Sequence, residues 1–366
     1  MLEEYCCAKW REVFKTNYHV NVQPHSGSSA NMAVYRAFLD YGDPVLTMSL
    51  ADGGHLSHGA SVSFSGKDYD ICHYTLTPDG LIDYGNIELM IKRIEPKLIV
   101  VGASAYSREI DYKRIATIIN KCSYTKEYTN PYSREIEEYT YRPIYMVDMA
   151  HVAGLIAAGY HQSPFGYADV ITTTTHKTLR GPRGGLIFCK PEYANKIDSA
   201  VFPGIQGGSL MNVIAAKAIC AEEALTPAFK EYIGEVVNCA NTMANYFIKL
   251  GYEVISGGTD NHMFLLSLKD TGITGKELQD YLDEYNYITL NKNAIPNDPL
   301  PPGQASGVRI GTPAMVTKGW RERDFLYCAN EINNAILKLS NRKAERTLDK
   351  YFKNITEAKE YWKSID

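Results

Sequence analysis

No stretch of this 366-residue sequence stays apolar for the ~20 residues that a bilayer-spanning helix needs, and runs such as Leu98–Val101 are only strand-sized. A membrane span is not expected. The start, Met1-Leu2-Glu3-Glu4, lacks the basic residues and apolar core of a secretory signal and the Arg/Ser-rich amphipathic character of a transit peptide. The cytoplasm is therefore the expected location. An excess of one charge is missing too: 38 basic against 42 acidic residues give a net charge of −4, no general reason to bind nucleic acid or an anionic membrane. Any anion must be held locally. The eight cysteines (6, 7, 72, 122, 189, 220, 239, 328) have no C-x-x-C and no His-rich spacing. They indicate neither a disulfide framework nor a zinc site, and are expected to be reduced, buried and inert. There is no internal repeat at solenoid or propeller periods.

What is there is an ordinary globular composition, 45% hydrophobic and 22% charged, long enough for about two domains of ~150 residues. Over the first two hundred residues short apolar runs alternate with amphipathic stretches. Residues 98–101, 144–147 and 170–171 read as buried strands and 112–120 as a helix. That rhythm predicts an α/β fold with a mainly parallel sheet and helices on both faces. A large domain is expected over 1–226 and a smaller C-terminal α/β domain over 227–366. The latter opens with a helix over 227–250, followed by strands at 252–255 and 263–268 around a Gly257-Gly258 turn. Residues 291–307, rich in Pro, Asn and Gly, read as an ordered irregular loop. Five tyrosines and many charges over 122–142 mark a surface insertion, placed at 120–143, and 344–362 reads as a charged amphipathic helix used in packing.

Ligands of open α/β sheets bind beyond the carboxyl ends of strands, so polar residues there are the candidates. Asp169 to Gly185 carries four consecutive threonines, then His176 and Lys177, then a Gly-rich turn. A lysine at a strand end can be a solvated surface residue, or an amine lowered in pKa for a Schiff base. Asp148 ends the apolar run 144–147; it can cap a helix, or hold a positive charge in the crevice. Pro24-His25-Ser26-Gly27-Ser28-Ser29-Ala30-Asn31 opens a helical pattern, as an ordinary Ser cap or as a phosphate site at the positive end of a helix. In 53–59, glycines allow close approach and His55 can lie flat on a ring. His55 and His58 also have ligand-like spacing, but no carboxylate or Cys spacing completes a metal site. A phosphate cradle, a stacking His, a pyridinium-holding Asp and a Schiff-base Lys, in this chain order, form one coherent site for pyridoxal phosphate.

At these residues the sequence resembles the serine (glycine) hydroxymethyltransferase family of fold-type I pyridoxal-phosphate enzymes, whose fold is aspartate-aminotransferase-like. The resemblance runs over about 22–320 and is most specific at 147–155 (Val-Asp-Met-Ala-His-Val-Ala-Gly-Leu), 172–179 (Thr-Thr-Thr-Thr-His-Lys-Thr-Leu) and 256–262 (Ser-Gly-Gly-Thr-Asp-Asn-His). It implies Lys177 as the Schiff-base lysine, Asp148 as the pyridine-nitrogen partner and His55 as the stacked ring. Ser26, Gly27 and Ser28 resemble the phosphate loop, while Ser104 and His151 resemble contacts to the cofactor 3′-oxygen and the substrate. The catalytic candidates are thus Lys177, His151, His176 and Asp148, with Arg183 added to the cofactor-binding set. Gly207 and Gly208 match a loop that reaches the phosphate of a neighbouring subunit, implying a homodimer or dimer of dimers. Arg309 matches the arginine that forks onto the amino-acid carboxylate. Leu50, Gly54, Leu56 and Asn293 resemble the tetrahydrofolate pocket.

The reaction so implied moves the serine hydroxymethyl carbon to tetrahydrofolate, giving glycine and 5,10-methylenetetrahydrofolate. The expected partners are serine or glycine and folate, with no nucleic acid, membrane or metal. The family also carries a segment ahead of the phosphate loop with a substrate-contacting Ser, a Tyr and Glu donated across the dimer, and a second Tyr. Met1 lies only about twenty residues before the loop, so that segment is expected to have no counterpart here. This keeps two alternatives in view: a catalytically impaired fragment or paralogue that retains the cofactor site, and an aldolase on β-hydroxy amino acids.

Overall fold

The apolar runs and their neighbours build nine strands over the first half of the chain. These are β1 (His19–Asn21), β2 (Pro44–Met48), β3 (Asp70–Tyr74), β4 (Leu98–Val101), β5 (Tyr124–Thr129), β6 (Ile136–Tyr141), β7 (Ile144–Asp148), β8 (Val170–Thr174) and β9 (Gly185–Cys189). The computed structural model describes residues 1–129, 134 and 136–363, with side chains for 1–127, 134 and 136–343. Seven strands form one sheet in the order β1-β9-β8-β7-β4-β2-β3. The five from β8 to β3 run parallel, and β9 and β1 close one edge antiparallel. The expected mainly parallel α/β sheet is present.

Alternate residues of the central strands point to opposite faces, as a pleat of period two requires. Ile99, Val101, Tyr145, Val147 and Ile171 join a core with Trp10, Tyr112 and Leu155. Leu98, Val100, Met146 and Val170 join a second core with Ala30, Val34 and Tyr35. Burial on both faces explains why these strands read as continuous apolar runs rather than alternating ones.

The helix Pro227–Lys249 starts where the Thr226 hydroxyl accepts from Phe229 N and proline fills the first turn. Beyond it lies an antiparallel three-stranded sheet, β10 (Met263–Ser267), β11 (Asn291–Asn293) and β12 (Gly307–Gly311), in the order β10-β12-β11. Two local expectations are corrected. Residues 252–255 are not a strand: Val254 makes one isolated bridge to Leu266, and Ser256 at φ 60° turns the chain at once. The 291–307 segment begins as β11 before becoming irregular. The expected surface insertion takes the form of a β-hairpin, β5 with β6, whose conformation the sequence left open. It was hard to read because both of its faces are polar. Its residues 130–133 and 135 lie outside the described residues, as do the side chains of 344–363 in the last helix, Glu322–Lys363, and with them the packing expected there.

Among the described residues no helix is long and apolar enough to cross a membrane. All eight cysteines are free, and five of them (Cys6, Cys122, Cys189, Cys220, Cys239) are buried.

Candidate functional site

The parallel strands end on one side of the sheet, and a cavity of about 220 Å³ opens there. Its lining includes Ser26, Gly27, Ser28, His55, Ser104, Asp148, His151, His176, Lys177 and Arg183, together with His58 and Thr174. Segments separated by up to 157 positions in the chain (26 to 183) are thus brought together by strand ends.

One end of the cavity is a helix start. Ser26 caps the helix Gly27–Phe38, with its hydroxyl accepting from Ser29 N and the Ser29 hydroxyl accepting from Ser26 N. The Gly27 and Ser28 amides have no carbonyl four residues back within the helix, so they face the cavity at the positive end of the helix dipole. Gly27 sits tightly on β8: a Cβ there would lie 2.7 Å from the Thr174 methyl. This end suits a phosphate.

Asp148 ends β7 and is held from three directions. Its Oδ2 accepts from Asn31 Nδ2 at 2.8 Å and from His58 Nε2 at 3.0 Å, and its Oδ1 accepts from Ala150 N at 3.1 Å. The His55 N–H donates to His58 Nδ1, leaving the His58 proton on Nε2 toward the carboxylate. Burial alone would raise the Asp148 pKa. The His58 hydrogen bond and the charges of His58, His55 and Lys177 outweigh it, so the carboxyl is held well below the usual range. Only glycine can follow β4 here, because a Cβ at Gly102 would lie 2.1 Å from Asp148 O.

The structure also brings Asp148 beside His55 and His58, with one potential ligand atom from each within 4.8 Å of the others, a grouping that sequence spacing did not show. Their hydrogen bonds are already committed to one another, since His55 Nδ1 accepts from Ser57 N and His58 bridges His55 to Asp148. The cluster is a carboxylate-orienting network.

Lys177 follows β8 by three residues. Among the described residues its Nζ makes no hydrogen bond or ion pair. Burial lowers its pKa most, Asp148 opposes, and Arg309 and Arg183 lower it further, for a net depression. The Thr178 hydroxyl ties this turn to the neighbouring connection, donating to His151 O and accepting from Gly154 N. Arg183 Nη1 lies 3.3 Å from His176 Nε2, and burial followed by the Arg183 and Lys177 charges pushes the His176 pKa down.

A second cavity of about 570 Å³ shares His151, His176 and Lys177 with the first and adds Arg309, His262 and Thr289. Arg309 comes from β12, paired with Leu265 of β10, and donates from Nη1 to Ser104 O at 2.7 Å. The rings of His151 and His262 stack at 5.5 Å, and burial pushes the pKa of His262 down to about 3 and that of His151 well down. Both are neutral at physiological pH.

Six sequence-derived candidates lie outside both cavities. Gly207 and Gly208 are exposed on the segment after the Phe202–Pro203 bond. Leu50 and Leu56 are about half exposed on either side of His55, Gly54 is packed against Met48 O, and Asn293 donates to Ala294 O. Conversely, sequence reasoning assigned no role to Asn31, His58 or His262. Asn31, one turn into the capped helix, and His58, three residues after His55, carried a signal only in hindsight, because their partner Asp148 is 117 and 90 residues away.

A family model described as serine hydroxymethyltransferase matches residues 1–332. A serine hydroxymethyltransferase of Coprothermobacter proteolyticus is 51% identical over 329 residues, covering 89% of this chain and 74% of that relative.

Proposed function

The chain belongs to the serine hydroxymethyltransferase family, and we infer from that membership and the site that it interconverts serine and glycine, with tetrahydrofolate as the one-carbon acceptor. The observation that carries the reading is a lysine of depressed pKa, without a partner among the described residues, and an ionised, triply hydrogen-bonded aspartate facing one cavity whose far end is a helix N-terminus. These residues fit pyridoxal phosphate. When bound, that cofactor supplies an electron sink for the charge left on the substrate α-carbon.

Lys177 would hold the cofactor covalently through Nζ, and its lowered pKa raises the share of neutral, nucleophilic amine. Asp148, fixed by Asn31 and His58, would keep a proton on the pyridine nitrogen. Gly27 and Ser28 amides, with Ser26, would receive the phosphate. His55 would lie against the ring, and Ser104 and His151 would contact the 3′-oxygen side. His176 and Arg183 flank Lys177, and the Arg183 charge helps to lower its pKa. Among the described residues the Arg309 fork hydrogen-bonds only Ser104 O, and it would bind the serine carboxylate bidentately. Leu50 and Leu56, exposed beside His55, with Gly54 and Asn293, would form the folate surface. The same reading divides the chain into a cofactor part (1–226) and a smaller part (227–366) that brings Arg309. It also places Gly207 and Gly208 against the phosphate of a neighbouring copy, in a cytoplasmic homodimer or dimer of dimers.

The test is turnover. Protein loaded with pyridoxal phosphate should form methylenetetrahydrofolate from serine and tetrahydrofolate. Cofactor binding without that product, alongside cleavage of allo-threonine, would instead favour the aldolase alternative.

A further inference from the structure

Lys217 lies on the helix Met211–Ala224, behind the cavity and absent from its lining, and is 1% exposed. Its ammonium donates to Val22 O at 2.6 Å, Gly185 O at 2.8 Å and Pro24 O at 3.1 Å. Among the described residues no carboxylate pairs with it. A buried cation held by carbonyls alone is a costly way to fill space that a methionine of similar length would fill without charge. The carbonyls it grips are informative. Residues 22 and 24 lead directly into the Ser26 cap. Gly185 opens β9 so close to that cap that a Cβ there would lie 2.4 Å from Ser26 O. Gly185 N in turn donates to Pro24 O. One side chain therefore fastens both segments that meet behind the helix start.

We propose that Lys217 is a positioning residue for the phosphate end of the cofactor site, holding residues 22–26 and Gly185 in register and placing a fixed positive charge behind the helix N-terminus. The inference rests on the pyridoxal-phosphate reading of the site.

The charge is one that titrates in an accessible range. Burial brings the Lys217 pKa down to about 8; Cys6, Cys7 and Glu3 of the N-terminal helix Leu2–Phe14 face it and favour its charged form, the thiols only when ionised. The two thiols stay protonated there, since burial pushes them up to about 11 and about 12. A phosphate dianion in front of the loop favours the charged ammonium, so phosphate binding is coupled to a proton on Lys217 and weakens as pH rises through about 8. The phosphate itself, with its second ionisation near ~6, is already dianionic in this range.

The experiment compares the affinity of the protein for pyridoxal phosphate with that for pyridoxal, which lacks the phosphate, from pH 7 to 9. Titration of Lys177 affects both ligands and cancels in the ratio. The expected ratio falls about fivefold or more across this range in the unaltered protein. In Lys217→Met it starts about tenfold lower at pH 7 and stays flat. A flat ratio in the unaltered protein overturns the proposal, as does a slope that persists in Lys217→Met. If the variant does not fold, the unaltered protein still decides. Failure of the unaltered protein to bind pyridoxal phosphate at any pH is a separate result, and overturns the cofactor reading itself.

Discussion

At the scale of single residues, Lys177 is poised by opposed charges: burial, Arg309 and Arg183 disfavour its cation, and Asp148 favours it. Removing Arg309 should therefore have two effects. Arg309→Ala is expected to raise the KM for serine by about tenfold to a hundredfold, the loss of a charge-assisted hydrogen-bonding partner, while cofactor still binds. It should also move the pH midpoint for cofactor attachment upward, because one cation that lowers the Lys177 pKa is gone. A spectroscopic pH titration beside serine kinetics checks both; unchanged serine affinity would remove Arg309 from its role. Asp148→Asn keeps the shape and loses the charge, and is expected to lower kcat by about a hundredfold or more with cofactor retained. Lys177 and Asp148 were legible in the sequence because each ends or follows an apolar run, and strand ends are where such sheets bind ligands. Asn31 and His58 were not, because what defines them is a carboxylate distant in sequence and near only after folding.

At the scale of elements, one buried group ties three strands together. Asp169, just ahead of β8, accepts from Arg142 Nη1 at 2.7 Å and Nη2 at 3.2 Å before β7, from Tyr145 N at 2.8 Å within β7, and from Lys190 Nζ at 2.7 Å after β9. Burial raises its pKa, but the Arg142 and Lys190 hydrogen bonds outweigh that and lower it. A carboxyl whose folded pKa is depressed contributes stability above its unfolded pKa, near ~3.9, and loses it as pH falls below that value. Asp169→Asn should cost about 3 kcal/mol at pH 7, with the gap to the unaltered protein narrowing in acid, measured by denaturant unfolding at several pH values. An equal gap at pH 3 and pH 7 would contradict this account. Among the elements, the buried strands declared themselves through apolar runs and the helix after Ser26 through its Ser cap. The β5–β6 hairpin did not, since Thr, Tyr, Lys and Glu occupy both of its faces and leave no alternation to read.

At the scale of the whole molecule, the segment 256–262, singled out in the sequence without an assigned role, is the joint between the main sheet and β10. Arg108 donates to Ser256 O and pairs with Asp260, the Thr259 hydroxyl donates to Ser107 O, and Asn261 Nδ2 donates to Tyr106 O at 2.9 Å. These bonds fix β10, and through it β12 and Arg309, against the loop after β4 that carries Ser104. Asn261→Ala leaves a buried carbonyl without that donor and should cost about 1–3 kcal/mol in stability. It should also weaken serine binding more than cofactor binding, read by parallel titrations; equal losses would mean that the joint does not position Arg309. The central claim is that Lys177 holds pyridoxal phosphate in the cavity formed with Asp148 and the Gly27 helix start. Its most direct test is the absorbance band of lysine-bound cofactor after incubation with pyridoxal phosphate. The band is expected in the unaltered protein and not in Lys177→Ala, and its absence from both, or its persistence in the variant, would contradict the account.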